Sequence, residues 1–185
     1  MSCGADMVAR MIAQYEAGSV YEGGRMYNLP EKPRNMICFD MDGTIADLYA
    51  VPNWLEKLRA EDPSPYRDAE PMVDMEELAN VLNILIDQGW EIRVISWLSK
   101  GATPAYNAEV RKAKREWLEK YNFPANKVHL VAYGTTKANC IRKAGADSAI
   151  LIDDNQKVRD GWHMGDTIDP TEEDIIERLR ELVEG

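Results

Sequence analysis

Four short apolar runs constrain this chain more than anything else in its sequence. Met36-Ile37-Cys38-Phe39 ends at Asp40, Ile92 to Ile95 ends at Ser96, Val128 runs to Tyr133, and Ala149 to Ile152 ends at Asp153. Runs that are apolar throughout, instead of alternating with polar residues, suit strands buried on both faces. Helical signals lie between them. Met72 to Gln88 has Pro71 as its expected first helical residue and Gly89 as its stop. Ala105 to Tyr121 carries Val110, Trp117 and Leu118 on an expected packing face, Lys137 to Ala144 stops at Gly145, and Glu172 to Val183 closes the chain. Strand and helix alternating at this spacing predict an α/β fold: a Rossmann-like parallel sheet with helices on both faces and right-handed crossovers.

Composition narrows the partners. The 185 residues hold 22 Lys plus Arg against 32 Asp plus Glu, a net charge of −10. That balance argues against binding along a nucleic-acid backbone or on an anionic membrane, both of which attract positive charge. Small anionic substrates stay open, because a bound metal ion inverts the local sign. Apolar stretches fall far short of the roughly 20 residues that span a bilayer, and the first residues show no secretory pattern. Cys3, Cys38 and Cys140 are widely spaced and form no CxxC pair, which argues against a disulfide framework or structural zinc. The expectation is a cytoplasmic protein.

The domain reading is an N-terminal helical arm over 1–34 and a core domain over 35–185. The arm has helical spacing at 7–17, then an irregular Gly- and Pro-bearing connection to Pro33. It is expected to pack on the core or on a second subunit, which allows for a homo-oligomer. One segment breaks the alternation: about 48–70 holds Pro52, Pro63 and Pro65, with Pro71 just beyond, and reads as a short helix at 53–60 plus turns. Loops at the carboxyl ends of parallel strands form the ligand crevice, so this insertion is a candidate small cap or lid.

Asp40-Met41-Asp42-Gly43-Thr44 carries the strongest chemical signal. Two carboxylates leaving a buried strand are costly unless compensated, and a divalent cation such as Mg²⁺, which prefers carboxylate oxygens, compensates them. The spacing also allows one carboxylate to be an ionised nucleophile and the other a general acid. The plain alternative is an Asp/Gly turn after a strand. Asp153-Asp154 ends the fourth run and would complete an oxygen-rich site on the same sheet edge, the alternative being an acidic first turn of a helix. Ser96, with the backbone N–H groups that follow it beginning at Trp97, and Lys137 fall where phosphate recognition needs them. Taken singly, Ser96 and Lys137 read as ordinary capping or surface residues. Tyr49, Trp54, Tyr66 and Trp97 are either base-stacking or packing aromatics, with packing favoured. His129 and His163 have no zinc-like spacing.

With FDMDGTIAD (39–47), RVIS (93–96), TTK (135–137) and LIDD (151–154) in that order, the chain resembles the haloacid dehalogenase-like (HAD) superfamily of phosphohydrolases over roughly 35–168. It is most similar to the 5'(3')-deoxyribonucleotidase-like branch, although the segment between Asp47 and Pro71 is short for that branch's multi-helix cap. The resemblance implies that Asp40 attacks phosphorus and becomes an aspartyl-phosphate, and that Asp42 protonates the leaving alkoxide and then activates water. It also implies Mg²⁺ held by the Asp40 carboxylate, the Asp42 backbone carbonyl and the acidic pair, with Asp154 preferred over Asp153. Ser96, Trp97 and Lys137 would hold the phosphoryl group. The implied function is hydrolysis of a small phosphomonoester, with a (deoxy)nucleoside monophosphate one candidate. A sugar phosphate or a nucleic-acid terminal phosphate is the alternative within the class; a non-catalytic binding protein that keeps the fold is the alternative outside it.

Overall fold

The structure, a computed structural model, describes residues 19–22, 25–28, 35–142 and 148–184. The chain divides into two units, 1–33 and 34–185. In the first, β1 (Ser19–Glu22) and β2 (Arg25–Asn28) form an antiparallel hairpin with Val20 opposite Tyr27. Sequence reasoning expects an irregular connection there. The β-branched and aromatic content of SVYE and RMYN suits a strand pair instead. The helix expected at 7–17 lies outside the described residues.

The second unit is built on β3 (Asn35–Phe39), β6 (Glu91–Trp97), β7 (Lys127–Val131), β8 (Ser148–Ile152) and the short β9 (Thr167–Ile168). All neighbours run parallel, in the order β7-β6-β3-β8-β9. Phe39 sits opposite both Val94 and Ile152, so the first, second and fourth apolar runs end side by side. The strand order reverses at β3, and ligands of open α/β sheets bind at such a switch point.

Alternation along β3 separates two cores. Ile37 and Phe39 join Leu78, Leu82, Val110, Trp117 and Leu179 on one face. Met36 and Cys38 join Ile141, Leu151 and Trp162 on the other. A strand with both faces covered has no polar face, which is why its run is continuously apolar.

Among the described residues the helices are α1 (Trp54–Arg59), α2 (Ser64–Asp68), α3 (Met75–Asp87), α4 (Pro104–Lys120), α5 (Ala138–Ile141), α6 (Gln156–Asp160) and α7 (Ile175–Glu184). The helix expected from Met72 begins at Met75. Asp74 caps it by accepting from the Glu76 and Glu77 N–H groups, while Pro71 belongs to β5 (Glu70–Pro71), paired with β4 (Ala46–Asp47). That two-stranded pair closes the base of the insertion, which holds the 3₁₀ turn Leu48–Ala50, α1 and α2.

The insertion is fastened to α4 at three places. Thr103 donates to the Glu61 carboxylate from its backbone N–H (2.9 Å) and its hydroxyl (2.8 Å). The Tyr106 hydroxyl donates to the Asp62 carbonyl at 3.0 Å, and the Trp117 indole N–H to the Ala69 carbonyl at 2.7 Å.

Candidate active site

The site begins at the end of β3. Asp40 N–H donates to the Ile152 carbonyl at 2.9 Å, after which the chain turns sharply. The Met41 carbonyl receives the N–H groups of Thr44, Ile45 and Ala46 at 3.2, 3.0 and 2.9 Å. Gly43 makes the turn possible with φ +78°, and a Cβ there would lie 2.6 Å from Asp154 Oδ2 and 2.7 Å from the Tyr49 ring. Both the backbone conformation and the space therefore require glycine. Thr44 joins the turn to the fourth strand, its hydroxyl oxygen accepting from the Asp154 N–H at 3.2 Å.

Lys137, at the start of α5, is buried between two carboxylates. Its Nζ stands 2.6 Å from Asp153 Oδ2 and 2.8 Å from Asp40 Oδ1. The Asp153 contact is an aligned hydrogen bond; the Asp40 contact is an ion pair off the hydrogen-bonding direction, so Asp40 Oδ1 is buried without an aligned donor. Asp153 Oδ1 accepts from the Asn155 N–H at 3.0 Å, so both Asp153 oxygens are engaged. Asp40, Asp153 and Asp154 each place one oxygen within 4.8 Å of the others.

Burial raises the proton affinity of Asp40, but the Lys137 and Lys114 ammonium groups outweigh it and hold the carboxyl below its ordinary range. Asp42 is held above that range by burial, with Asp40 repulsion adding to it against Lys114. Asp153 is raised by burial and by Asp40. Asp154 is pushed up to about 6 by burial and by its two acidic neighbours. Burial opposes the Lys137 charge, and Asp40 and Asp153 together more than restore it. The site thus keeps the Asp40 carboxyl ionised, while burial and acidic neighbours raise the proton affinity of Asp42, Asp153 and Asp154 around it.

This donor set fits a hard divalent cation. It is all oxygen, it contains a buried carboxylate oxygen with no aligned donor, and its repulsion is relieved by positive charge. Asp40 and Asp154 are the residues with ligand capacity to spare. The Asp42 carboxylate is not in this cluster; it faces Lys114.

The cluster opens into a cleft of about 460 Å³ that the insertion roofs on one side. Tyr49 and Trp54 stand edge to face at 5.2 Å, and Trp97 and Tyr133 tilt together at 4.9 Å on the core side. Trp97 fixes the loop carrying Lys137 through its indole N–H on the Thr135 carbonyl, at 2.9 Å. Arg59 and Lys100 also line the cleft. Among the backbone donors after Ser96, Leu98 N–H is spent on the Val131 carbonyl at 2.8 Å.

Asp40, Asp42, Trp97, Lys137, Asp153 and Asp154 therefore meet at one cleft. Ser96 stands behind its wall with no exposed surface. The residue that sequence reasoning misses is Lys114 of α4, whose Nζ lies 2.5 Å from Asp42 Oδ2 and 2.8 Å from Ser96 Oγ. Its signal is a lysine on the Val110, Trp117 and Leu118 packing face, where a charge is out of place. His129 lies on β7 beside Arg93, and burial with the Arg93 and Lys127 charges depresses its proton affinity.

No protein-family model and no curated protein matches the sequence. Solved structures do match. A D,D-heptose 1,7-bisphosphate phosphatase from Burkholderia thailandensis is 9% identical, with a TM-score of 0.51 over 82% of this chain and 100% of its own. A Mesorhizobium loti protein described as a HAD-like phosphatase is 14% identical, with a TM-score of 0.51 over 90% and 93%. A chain of the Pnkp1/Rnl/Hen1 RNA repair complex is 15% identical, with a TM-score of 0.50 over 89% of this chain and 54% of its own. This chain spans about half the length of that last protein. With its five-stranded parallel sheet and helices on both faces, the chain has the fold of the HAD-like phosphatases.

Proposed function

We propose that this chain is a divalent-metal-dependent phosphatase that hydrolyses phosphomonoesters through an aspartyl-phosphate on Asp40. The observation that carries the reading is the buried Lys137 ammonium between Asp40 and Asp153 in the lining of the cleft. It keeps Asp40 ionised as a nucleophile and offers positive charge to an incoming phosphoryl group. In the first half-reaction an Asp40 oxygen attacks phosphorus, the phosphorus–oxygen ester bond breaks, and Asp42 gives its proton to the leaving oxygen. In the second, water attacks the same phosphorus while Asp42 takes its proton, which frees inorganic phosphate and the Asp40 carboxylate. The raised proton affinity of Asp42 suits that exchange.

Asp40 and Asp154, with the Asp42 backbone carbonyl, would hold Mg²⁺, and Asp153 would anchor Lys137. When bound, the cation supplies the positive charge that phosphoryl transfer needs and this acidic site lacks. Lys137 and the Trp97 backbone hold the phosphoryl oxygens. Ser96, expected from the sequence to share that role, lies behind the wall and accepts from the Lys114 ammonium instead.

The aromatic walls and the two cations at the rim favour a substrate whose alcohol part carries a flat ring, such as a nucleoside monophosphate. A nucleic-acid end is a second reading. Tyr49 and Tyr133, each about half exposed at the cleft, leave room for a chain to leave it, and a chain of an RNA repair complex has this fold.

The test is phosphate release with Mg²⁺ from nucleoside mono- and deoxymonophosphates, sugar phosphates and 3'-phosphorylated oligonucleotides. Turnover of one group is expected, falling below about a thousandth in Asp40→Asn. A metal-binding protein that turns over no phosphomonoester would contradict the proposal.

A further inference from the structure

Lys114 belongs to no catalytic motif quoted above, yet it has no exposed surface and sits against the reacting groups. An ammonium taken out of water needs partners for its donors. Lys114 has three. Its Nζ donates to Asp42 Oδ2 at 2.5 Å and to Ser96 Oγ at 2.8 Å, and it stands 4.8 Å from the centre of the Tyr66 ring on α2. These partners come from the turn after β3, from the end of β6 and from the insertion.

Tyr66 is itself buried, so the ring closes the ammonium off from solvent on the insertion side. Lys114 is held in turn by α4, whose Trp117 bonds to Ala69 at the end of the insertion. Only a donor can satisfy a carboxylate and a hydroxyl oxygen together. An apolar residue at 114 would leave both Asp42 and Ser96 without that partner.

Resting on the phosphatase reading, we propose that Lys114, itself held by the buried Ser96 hydroxyl oxygen, is a positioning residue that aims the Asp42 carboxyl at the leaving-group oxygen. It touches neither substrate nor phosphorus and acts through the Asp42 carboxyl. A residue that aims the acid matters most when the leaving group needs a proton. Phenyl phosphate and p-nitrophenyl phosphate have similar shapes, but the nitrophenolate leaves well without one.

The experiment compares kcat/KM for the two esters in wild-type protein, Lys114→Met and Lys114→Gln, with Mg²⁺ present. Lys114→Met keeps the side-chain length, and Lys114→Gln keeps a donor without the charge. For Lys114→Met the expected result is about a 100-fold loss on phenyl phosphate and about a 10-fold loss on p-nitrophenyl phosphate, within the range for a displaced general acid. Lys114→Gln should fall between wild type and Lys114→Met on the first ester. Equal losses on both esters, or no loss, overturn the inference by assigning Lys114 to packing alone. So does failure of both variants to fold, read by circular dichroism. Wild-type protein inert on both esters would instead count against the phosphatase reading itself.

Discussion

At the scale of single residues, Gly43 shows how backbone and chemistry constrain one position. Its φ of +78° disfavours any L side chain, and the space a Cβ needs is filled by Asp154 and Tyr49. Gly43→Ala is expected to lower stability by about 1–2 kcal/mol from backbone strain alone. It should also displace Asp154 and weaken Mg²⁺ binding. Thermal melts with and without Mg²⁺ check both effects, and unchanged Mg²⁺ affinity would show that Asp154 is not needed as a ligand. The acid pairs at 40, 42, 153 and 154 were legible because carboxylates at the ends of apolar runs have few structural explanations. Lys114 was not, because a lysine within RKAKREW reads as one of several solvated charges. Its one signal is its spacing from Val110, Trp117 and Leu118, which puts it on the face of α4 that packs inward.

At the scale of elements, the four long core strands follow from continuous apolar runs, and the sequence places them within a residue or two. The elements it passes over are short: β9 has two residues, and α2 and α6 five each. Segments of that length carry too few residues for a period to show. The start of α3 moves from 72 to 75 because an Asp74 cap outcompetes a proline signal, and β5 pairing claims Pro71. The insertion has the aromatics expected of a lid but is bonded down to α4. Thr103 both caps α4, accepting from the Tyr106 N–H at 3.2 Å, and holds Glu61. Thr103→Ala is therefore expected to cost about 1–2 kcal/mol, seen as a lower urea midpoint. A loss below about 0.3 kcal/mol would mean that the insertion is held elsewhere.

At the scale of the whole molecule, a net charge of −10 with four acids at one cleft makes stability, pH and metal a single problem. Asp154 binds its proton more tightly when folded, at about 6, than in the unfolded chain, at 3.8. Its contribution is fully present below 3.8 and is lost as pH rises through about 6, so the metal-free fold weakens across that window. Mg²⁺ offsets the loss only where Asp154 is ionised. The rise in melting temperature on adding Mg²⁺ should be larger at pH 7 than at pH 5, and an equal rise at both would place the cation elsewhere. Among the described residues no helix is long and apolar enough to cross a membrane.

The central claim is that Asp40 itself carries the phosphoryl group during turnover. Mass spectrometry of protein acid-quenched while hydrolysing p-nitrophenyl phosphate tests it most directly. A phosphate adduct on the peptide containing Asp40, absent in Asp40→Asn and in Mg²⁺-free protein, is the predicted result. Steady turnover with no adduct, together with an Asp40→Asn variant that still releases phosphate, would contradict the account.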